Sequence, residues 1–358
     1  MKILDRYILG KYFKTFLFVV FLLAVIILAV DYTEKSDDFI KNNLSFGQVM
    51  SDYYVYVIIH WLSTLSPISV FIAVVFFTAN LAQHTEIVAM LNGGMSYRRL
   101  IQPYLIGSVL LALLTFVNVG WLVPKAAEKK VEFEKEYIKS KYYFSDRDIH
   151  LRVSDSSYLY MESYNNNINR GYRFTLETID SLQLKEKITS DRIEWDSTKQ
   201  MWHVKKYTTY SFEGEDMTIS KGKDLDLDLN VKPKYFQSRY KLEETLTIPE
   251  LNDFIASEKA RGVAKLGKYS NAIQERYAYP FAMIILTILG VVISSRKTRG
   301  GSGLLIAVGF LLAFAYILMV IMSRSFADAG SLSPVVAAWM PNVICSAITA
   351  ALYYNVPK

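Results

Sequence analysis

The chain has 358 residues, 52% of them hydrophobic and 14% aromatic, with a formal net charge of +6. That composition is too apolar for an ordinary soluble enzyme of this length, so a membrane comes first, and the modest positive charge implies no nucleic acid. The single cysteine, Cys345, sits in an apolar run and leaves this sequence no internal disulfide.

The opening stretch MKILDRYILGKYFK leads into an apolar run with no small-residue cleavage site, so we read it as a retained first span and not as a signal peptide. A bilayer core of about 30 Å takes roughly 20 apolar residues as helix. Six stretches qualify, at about 13–30, 55–82, 100–123, 277–293, 304–323 and 334–354. The second carries His60, Ser63, Thr64, Ser66 and Pro67, which places one of its faces on protein or a cavity. The fourth is short and contains Pro280, tolerable where neighbouring helices cover the freed carbonyl. Lys2, Arg6, Lys11 and Lys14 precede span 1, Arg98 and Arg99 precede span 3, and Arg296, Lys297 and Arg299 separate spans 4 and 5. Basic loops mark the cytoplasmic side, so both termini are expected inside, and the insert from Pro124 to Lys268 outside.

Between spans 2 and 3 lies HTEIVAMLNGGMSYRRL. Thr85 is placed to cap a helix whose first turn holds Glu86, and Gly93 or Gly94 to end it in a left-handed conformation, giving a helix of about 12 Å. Ile87, Met90 and Leu91 fall on one side at helical spacing. This ridge either lies at the lipid interface or packs under span 2, or it is a docking knob for a soluble partner, with Glu86 pairing a basic residue at the rim.

The insert opens with KAAEKKVEFEKEYIKSKYYF, whose dense mixed charge predicts a solvated helix continuing span 3. From Ile149 the pattern changes to strands: YLYM, YRFTLETI, then RIEWDSTKQMWHVKKYTTYSF as a hairpin turning at Asp196 to Gln200. DLDLDLNV puts Leu225, Leu227, Leu229 and Val231 on one face and Asp224, Asp226, Asp228 and Asn230 on the other. Short strands without helical period imply a β-sandwich or jellyroll. TIPELNDFIASEKARG, with Thr247 as N-cap, Pro249 in the first turn and Gly262 at the end, returns to the membrane as a helix. The expected fold class is therefore membrane α plus β: spans 1–3 in residues 1–123, with the short helix at about 85–93; a β-jellyroll with flanking helices in 124–270; and spans 4–6 in 271–358.

No catalytic or metal motif appears. The histidines, at 60, 84, 150 and 203, fall in separate segments, and there is neither a His-Glu-x-x-His nor a cysteine pair for zinc. There is no G-x-x-x-x-G-K-[ST] loop, so the chain is expected to hold no nucleotide or other cofactor in that manner. Read as a calcium loop, DLDLDL places Leu229 where glycine is needed and Tyr235 where a bidentate glutamate is needed.

LDRYILGKYFKTF from Leu4, HTEIVAMLNGGMS, GWLVPKAAE, ISSRKTRGGSGLLIAVGFLLAFAYIL and SLSPVVAAWMPNVI occur in that order, with three spans on each side of one outer β domain. The arrangement resembles the LptF/LptG (YjgP/YjgQ) permease family, the membrane subunits of the ABC transporter that extracts lipopolysaccharide from the inner membrane of diderm bacteria. The VDYTEKSDDF ending of span 1 leans toward LptG. The resemblance implies a six-span half-transporter with a periplasmic β-jellyroll, paired with a second LptF/LptG-like permease on an LptB-like ATPase dimer that holds ATP and magnesium. It selects the docking reading of the short helix, making Thr85, Glu86, Ile87, Met90, Leu91 and Gly93 the ATPase-coupling residues. It also implies lateral gates at spans 1 and 5, with Lys35, Lys125, Lys129, Lys130 and Arg324 as candidates for lipid A phosphates, and onward passage to LptC-like and bridge jellyroll proteins.

Lipoprotein-release and macrolide-type permeases are the alternative among ABC systems, but they place the outer domain after span 1 of four. A lipid-modifying enzyme would need a cluster of His, Asp or Glu at one membrane face. A non-transporting scaffold or sensor leaves the segment after span 2 unexplained.

Overall fold

The computed structural model describes residues 3–138, 147–180, 183–214, 216–236, 240–263, 266–296 and 302–355. Lys297 and Arg299, and the end of the charged stretch beyond Ile138, lie outside the described residues. The chain forms two compact units, one of Met1–Ile138, Lys241–Asn252 and Gly267–Lys358, the other of Lys139–Tyr240 and Asp253–Leu266.

In the first unit, α1 runs over Ile3–Lys41. Its 39 residues reach about 58 Å, well past the apolar run at both ends. No proline interrupts it, and the polar end stays helical with Lys35 reaching back one turn to Asp31 at 2.7 Å. Next come α2 (Phe46–Val49), a π turn at Met50–Tyr54, α3 (Val55–Thr64) and α4 (Ser66–Gln83). The expected second span is thus interrupted at Leu65, whose backbone leaves the helical region at φ −89°, ψ 3°. Pro67 has no N–H for the Ser63 carbonyl, and the Ser66 hydroxyl donates to it instead at 2.8 Å. Short α5 (Glu86–Asn92) precedes α6 (Tyr97–Val117), which continues through a π turn at Asn118–Leu122, α7 (Val123–Phe133) and a second π turn at Glu134–Ile138. The Ser96 hydroxyl caps α6 by accepting from the Arg99 N–H.

Later in the chain this unit adds α8 (Leu242–Thr245), the start of α9 (Ile248–Ala260), α10 (Gly267–Ser294), α11 (Ser302–Asp328) and α12 (Pro334–Tyr354). Among the described residues, six helices are long and apolar enough to cross a membrane: α1, α4, the run Tyr97–Ile138, α10, α11 and α12. They differ sharply in how much protein covers them. Of each helix's most apolar 18-residue window, 72% is buried in α4 and 56% in α10, against 17% in α11 and 6% in α1. Close approach explains the core position of α4. A Cβ on Gly290 would lie 3.0 Å from Val74, and one on Gly309 2.6 Å from Val75, so glycine on α10 and α11 lets both helices close onto α4. Asn342 of α12 donates to the Ala278 carbonyl at 3.0 Å and accepts from the Tyr316 hydroxyl at 3.1 Å, joining α10, α11 and α12 through polar groups that burial obliges to pair.

The charged stretch after span 3 departs from expectation. It is helical, but Lys130, Val131, Phe133 and Glu134 are buried, because α3, α8 and the far end of α1 pack against it.

The second unit holds β1 (Arg147–Arg152), β2 (Ser157–Asn165), β3 (Arg170–Asp180), β4 (Gln183–Asp196), β5 (Met201–Glu213) and β6 (Asp216–Leu227). They form one antiparallel sheet in the order β1-β2-β3-β4-β5-β6. Among the described residues the strand order is that of a meander, each connection being short and pairing a strand with its sequence neighbour, and it gives the expected β domain inserted between the two sets of helices. The β4–β5 hairpin pairs Trp195 with Trp202, and Asp196 accepts the Thr198 and Lys199 backbone N–H groups at 2.8 and 3.2 Å to close the turn. Leu229 and Val231 are buried and Leu225 and Leu227 half-buried, while Asp224, Asp226, Asp228 and Asn230 are exposed, so the alternation continues past the end of β6. One face packs Phe174, Ile193, Trp202, Val204 and Phe236 into a core. The returning helix α9 begins with Glu250 accepting the Thr247 N–H at 2.8 Å and ends at Gly262, where φ is +79°.

Candidate functional site

The segment between α4 and α6 is built from its two ends. Gly94 takes the left-handed conformation at φ +87°, its N–H bonds the Leu91 carbonyl at 3.0 Å, and the Met95 N–H bonds the Met90 carbonyl at 3.3 Å. This paired closure stops α5 after two turns. Gly93, at φ −74° and ψ 12°, is the C-cap just past the helix and not the left-handed residue. The other end corrects the sequence reading. Thr85 itself is left-handed, with φ +59°; its hydroxyl donates to the His84 carbonyl at 2.6 Å and caps nothing.

The apolar ridge also points differently from expectation. Ile87 is 1% exposed and packs in a core with Ile8, Leu81, Tyr97 and Leu100, and Met90 and Leu91 lie against the same cluster. The exposed face of α5 is Val88, Ala89, Asn92 and Gly93. Sequence spacing shows which residues share a face but not which face meets the rest of the chain, and here the apolar one does. Glu86 is intermediate, its side chain 33% exposed. One carboxylate oxygen accepts the Tyr7 hydroxyl at 2.7 Å, and the other lies 3.4 Å from the Lys11 ammonium. After α5, the Nη2 of Arg99 lies 2.7 Å from both carboxylate oxygens of buried Asp5. Asp5, Tyr7, Lys11 and Arg99 therefore hold this segment from outside it, and no local pattern singled them out beyond the general charge of the basic loops.

At the other end of α1 a second constellation forms. Lys35 pairs with Asp31 and lies 3.6 Å from Glu134, with the Tyr53 hydroxyl also bonded to it. Lys241 meets Glu134 at 3.0 Å, Lys130 meets Glu244 at 3.2 Å, and His60 lies 3.7 Å from Glu244. Burial alone would raise the Glu244 carboxyl, but Lys130, His60 and Lys241 together hold it below its ordinary value. Aromatic rings wall the cluster, with Tyr53 stacked on Phe133 at 5.0 Å.

The match that classifies the chain covers residues 6–355, with the family described as lipopolysaccharide export system permease LptF/LptG. The chain belongs to the LptF/LptG family. A search of curated proteins finds no match. Membership makes this a permease and not an enzyme, and it agrees with the six apolar helices and the β domain inserted after the third.

Within this LptF/LptG fold the five basic candidates separate. Lys130, at 3% exposed, is enclosed by carboxylates and is not available to a lipid phosphate in this arrangement; Lys35 is largely enclosed as well. Both read as surface cations because the residues that enclose them, Glu244 for Lys130 and Glu134 and Tyr53 for Lys35, lie far along the chain. Lys125 pairs with Glu250 at 3.3 Å and Lys129 with Glu132 at 2.9 Å, yet both side chains stay exposed. Exposed pairs like these two contribute little and exchange partners readily. Arg324 differs: it is part-buried, 3.6 Å from Glu275, whose side chain is only 12% exposed, and 4.0 Å from Asp328.

Proposed function

We propose that this permease forms one half of the membrane part of a lipopolysaccharide exporter, paired with a second LptF/LptG-like permease and driven by an LptB-like ATPase dimer that binds ATP and magnesium. Both termini and α5 are cytoplasmic, and the β domain is periplasmic, where it hands lipid to LptC-like and bridge proteins. The VDYTEKSDDF end of α1 supports the LptG side of the pair. The reading rests above all on α5: a two-turn helix anchored by a buried isoleucine, closed at Gly94, and presenting Val88, Ala89, Asn92 and part of Glu86 outward. A rigid, anchored projection of this kind suits a partner groove, and small apolar contacts beside one carboxylate suit a basic rim. Ile87, Met90 and Leu91 then hold the helix in place instead of touching the ATPase.

Lipid entry is assigned to α1 and α11, whose apolar faces the rest of the chain leaves bare: Leu17, Phe18 and Phe21 on one, Leu311 and Phe314 on the other. Such faces suit lipid, a second permease or acyl chains. Lys125, Lys129 and Arg324 remain the candidates for lipid phosphates.

Co-purification with the ATPase tests the reading. Val88→Asp and Glu86→Arg are expected to abolish association and stimulated ATP hydrolysis while the chain still inserts. Wild-type association in both would remove α5 as the docking element. Photocrosslinkers at Phe21 and Phe314 should capture lipopolysaccharide, and capture only from the β domain would argue against entry at these helices.

A further inference from the structure

Three contacts join the first turns of α1 to the segment around α5. The first is apolar: Ile8 and Tyr12, both buried, share a core with Ile87, Tyr97 and Leu100. The second comes before the turn, where the Tyr7 hydroxyl and the Lys11 ammonium hold Glu86, the first residue of α5. Lys11 also lies over the Tyr7 ring, 4.6 Å from its centre, so the two donors are fixed with respect to each other. The third comes after it, where Asp5 accepts from Arg99 in the first turn of α6. Asp5 is 6% exposed, and a carboxylate this far from water depends on its guanidinium partner. The short helix is therefore fastened to α1 on both of its sides.

Beyond this grip α1 is thinly covered. Only 6% of its apolar window is buried; Phe13 and Phe16 lie against the first core, Val19 is buried, and Ile27 and Leu28 lie against the ring cluster that Phe39 enters with Tyr53, Tyr54 and Phe133, near where Lys35 meets Glu134. From Lys11 to Lys35 the helix is uninterrupted, a rod of about 36 Å. An α-helix transmits axial displacement because each turn is hydrogen-bonded to the next, and a thinly covered one drags few neighbours with it.

We propose that Asp5, Tyr7, Lys11 and Arg99 are positioning residues that make α5 and α1 move as one body, so that displacement of α5 is delivered directly to the span assigned to lipid entry. This rests on the proposed coupling of α5 to an ATPase. The Asp5–Arg99 pair is the fixed tie, with its carboxylate buried and both carboxylate oxygens closed by the guanidinium. The Glu86 tie is the adjustable one: part of Glu86 stays open to a cation on a docking partner, which would share or take the carboxylate from Lys11.

The test uses the full chain, assembled with its second permease and the ATPase in proteoliposomes, with lipopolysaccharide as cargo, and reads lipid released per ATP hydrolysed. Arg99→Gln and Tyr7→Phe are expected to hydrolyse ATP within about twofold of the unaltered complex, while Arg99→Gln lowers lipid released per ATP about tenfold or more. Exchanging the charges, Asp5→Arg with Arg99→Asp, is expected to restore most of that ratio, which a residue acting only on stability would not do. The proposal is overturned if Arg99→Gln releases lipid at the unaltered ratio, if release and hydrolysis fall in proportion, or if the exchange recovers nothing. A complex of the unaltered chain that releases no lipid when ATP is supplied would instead overturn the exporter reading itself.

Discussion

Lys130→Met is the most informative single change, because its effect can be worked from contacts. The ammonium lies 3.2 Å from Glu244, with the two side chains 4% and 23% exposed. At an effective dielectric of about 20 the attraction is about 5 kcal/mol. Methionine keeps the volume and helix preference of lysine, so packing and propensity change little. Removing the ammonium recovers its own desolvation and ends its repulsion with Lys241, which also acts on Glu244. Glu244 keeps Lys241 acting on it but loses its nearest cation; His60, at 3.7 Å, is a cation only when protonated. One-sided removal of a buried pair costs about 3–5 kcal/mol, and the remaining partners place this case near the lower end, at about 3 kcal/mol. Combining Lys130→Met with Glu244→Gln removes both charges, and the pair is then expected to cost about 1 kcal/mol. The difference, about 2 kcal/mol regained when Glu244→Gln is added to Lys130→Met, is measurable on the unfolding midpoint of the detergent-solubilised chain titrated with a denaturing detergent. Equal losses in the single and the double variant would refute the claim that this pair is enclosed and mutually dependent.

Other outcomes follow from the same contacts. Ile87→Ala removes a side chain that is 1% exposed from the core under α5, and should lower stability by about 2–4 kcal/mol on the same assay, where a lipid-facing residue would cost far less. The Glu244 carboxyl is depressed below the ordinary 4.5, chiefly by Lys130 and His60 acting against its burial. Its contribution is therefore fully present above about pH 4.5 and is lost as pH falls through the depressed value. Acid titration of the solubilised chain should show this loss, and Glu244→Gln should flatten it; an unchanged acid limb would show that Glu244 is not the group responsible.

The sequence by itself determined the membrane class, the six apolar stretches, the inserted strands and the short helix after span 2. It did so because these are properties of neighbouring residues: a run long enough to cross a bilayer, the period-two pattern from Asp224 to Val231, and glycines at the end of a two-turn helix. The same local signals were sufficient for Thr247 and Gly262 to mark the ends of α9, where Glu250 and a left-handed glycine fulfil them. They placed Thr85 at the N-cap of α5, where it stands, but not its left-handed backbone, which turns the hydroxyl to the His84 carbonyl and leaves the helix without a side-chain cap.

What only the tertiary structure decided was which face of each element is covered, and by what. Lys130 and Glu244 are 114 positions apart, and Glu86 and Tyr7 are 79 apart. No periodicity reports a contact at that separation. Lys130 therefore read as a solvated cation and is enclosed, and the ridge of Ile87, Met90 and Leu91 read as a docking surface and is the anchor. The meander was decided in the same way, because alternation fixes the two faces of a strand while its neighbours are chosen by the length of the turns and by what the sheet packs upon. Helix length, strand pattern and breakers are local chain properties, whereas burial of a charge is set by the remote residues that arrive beside it.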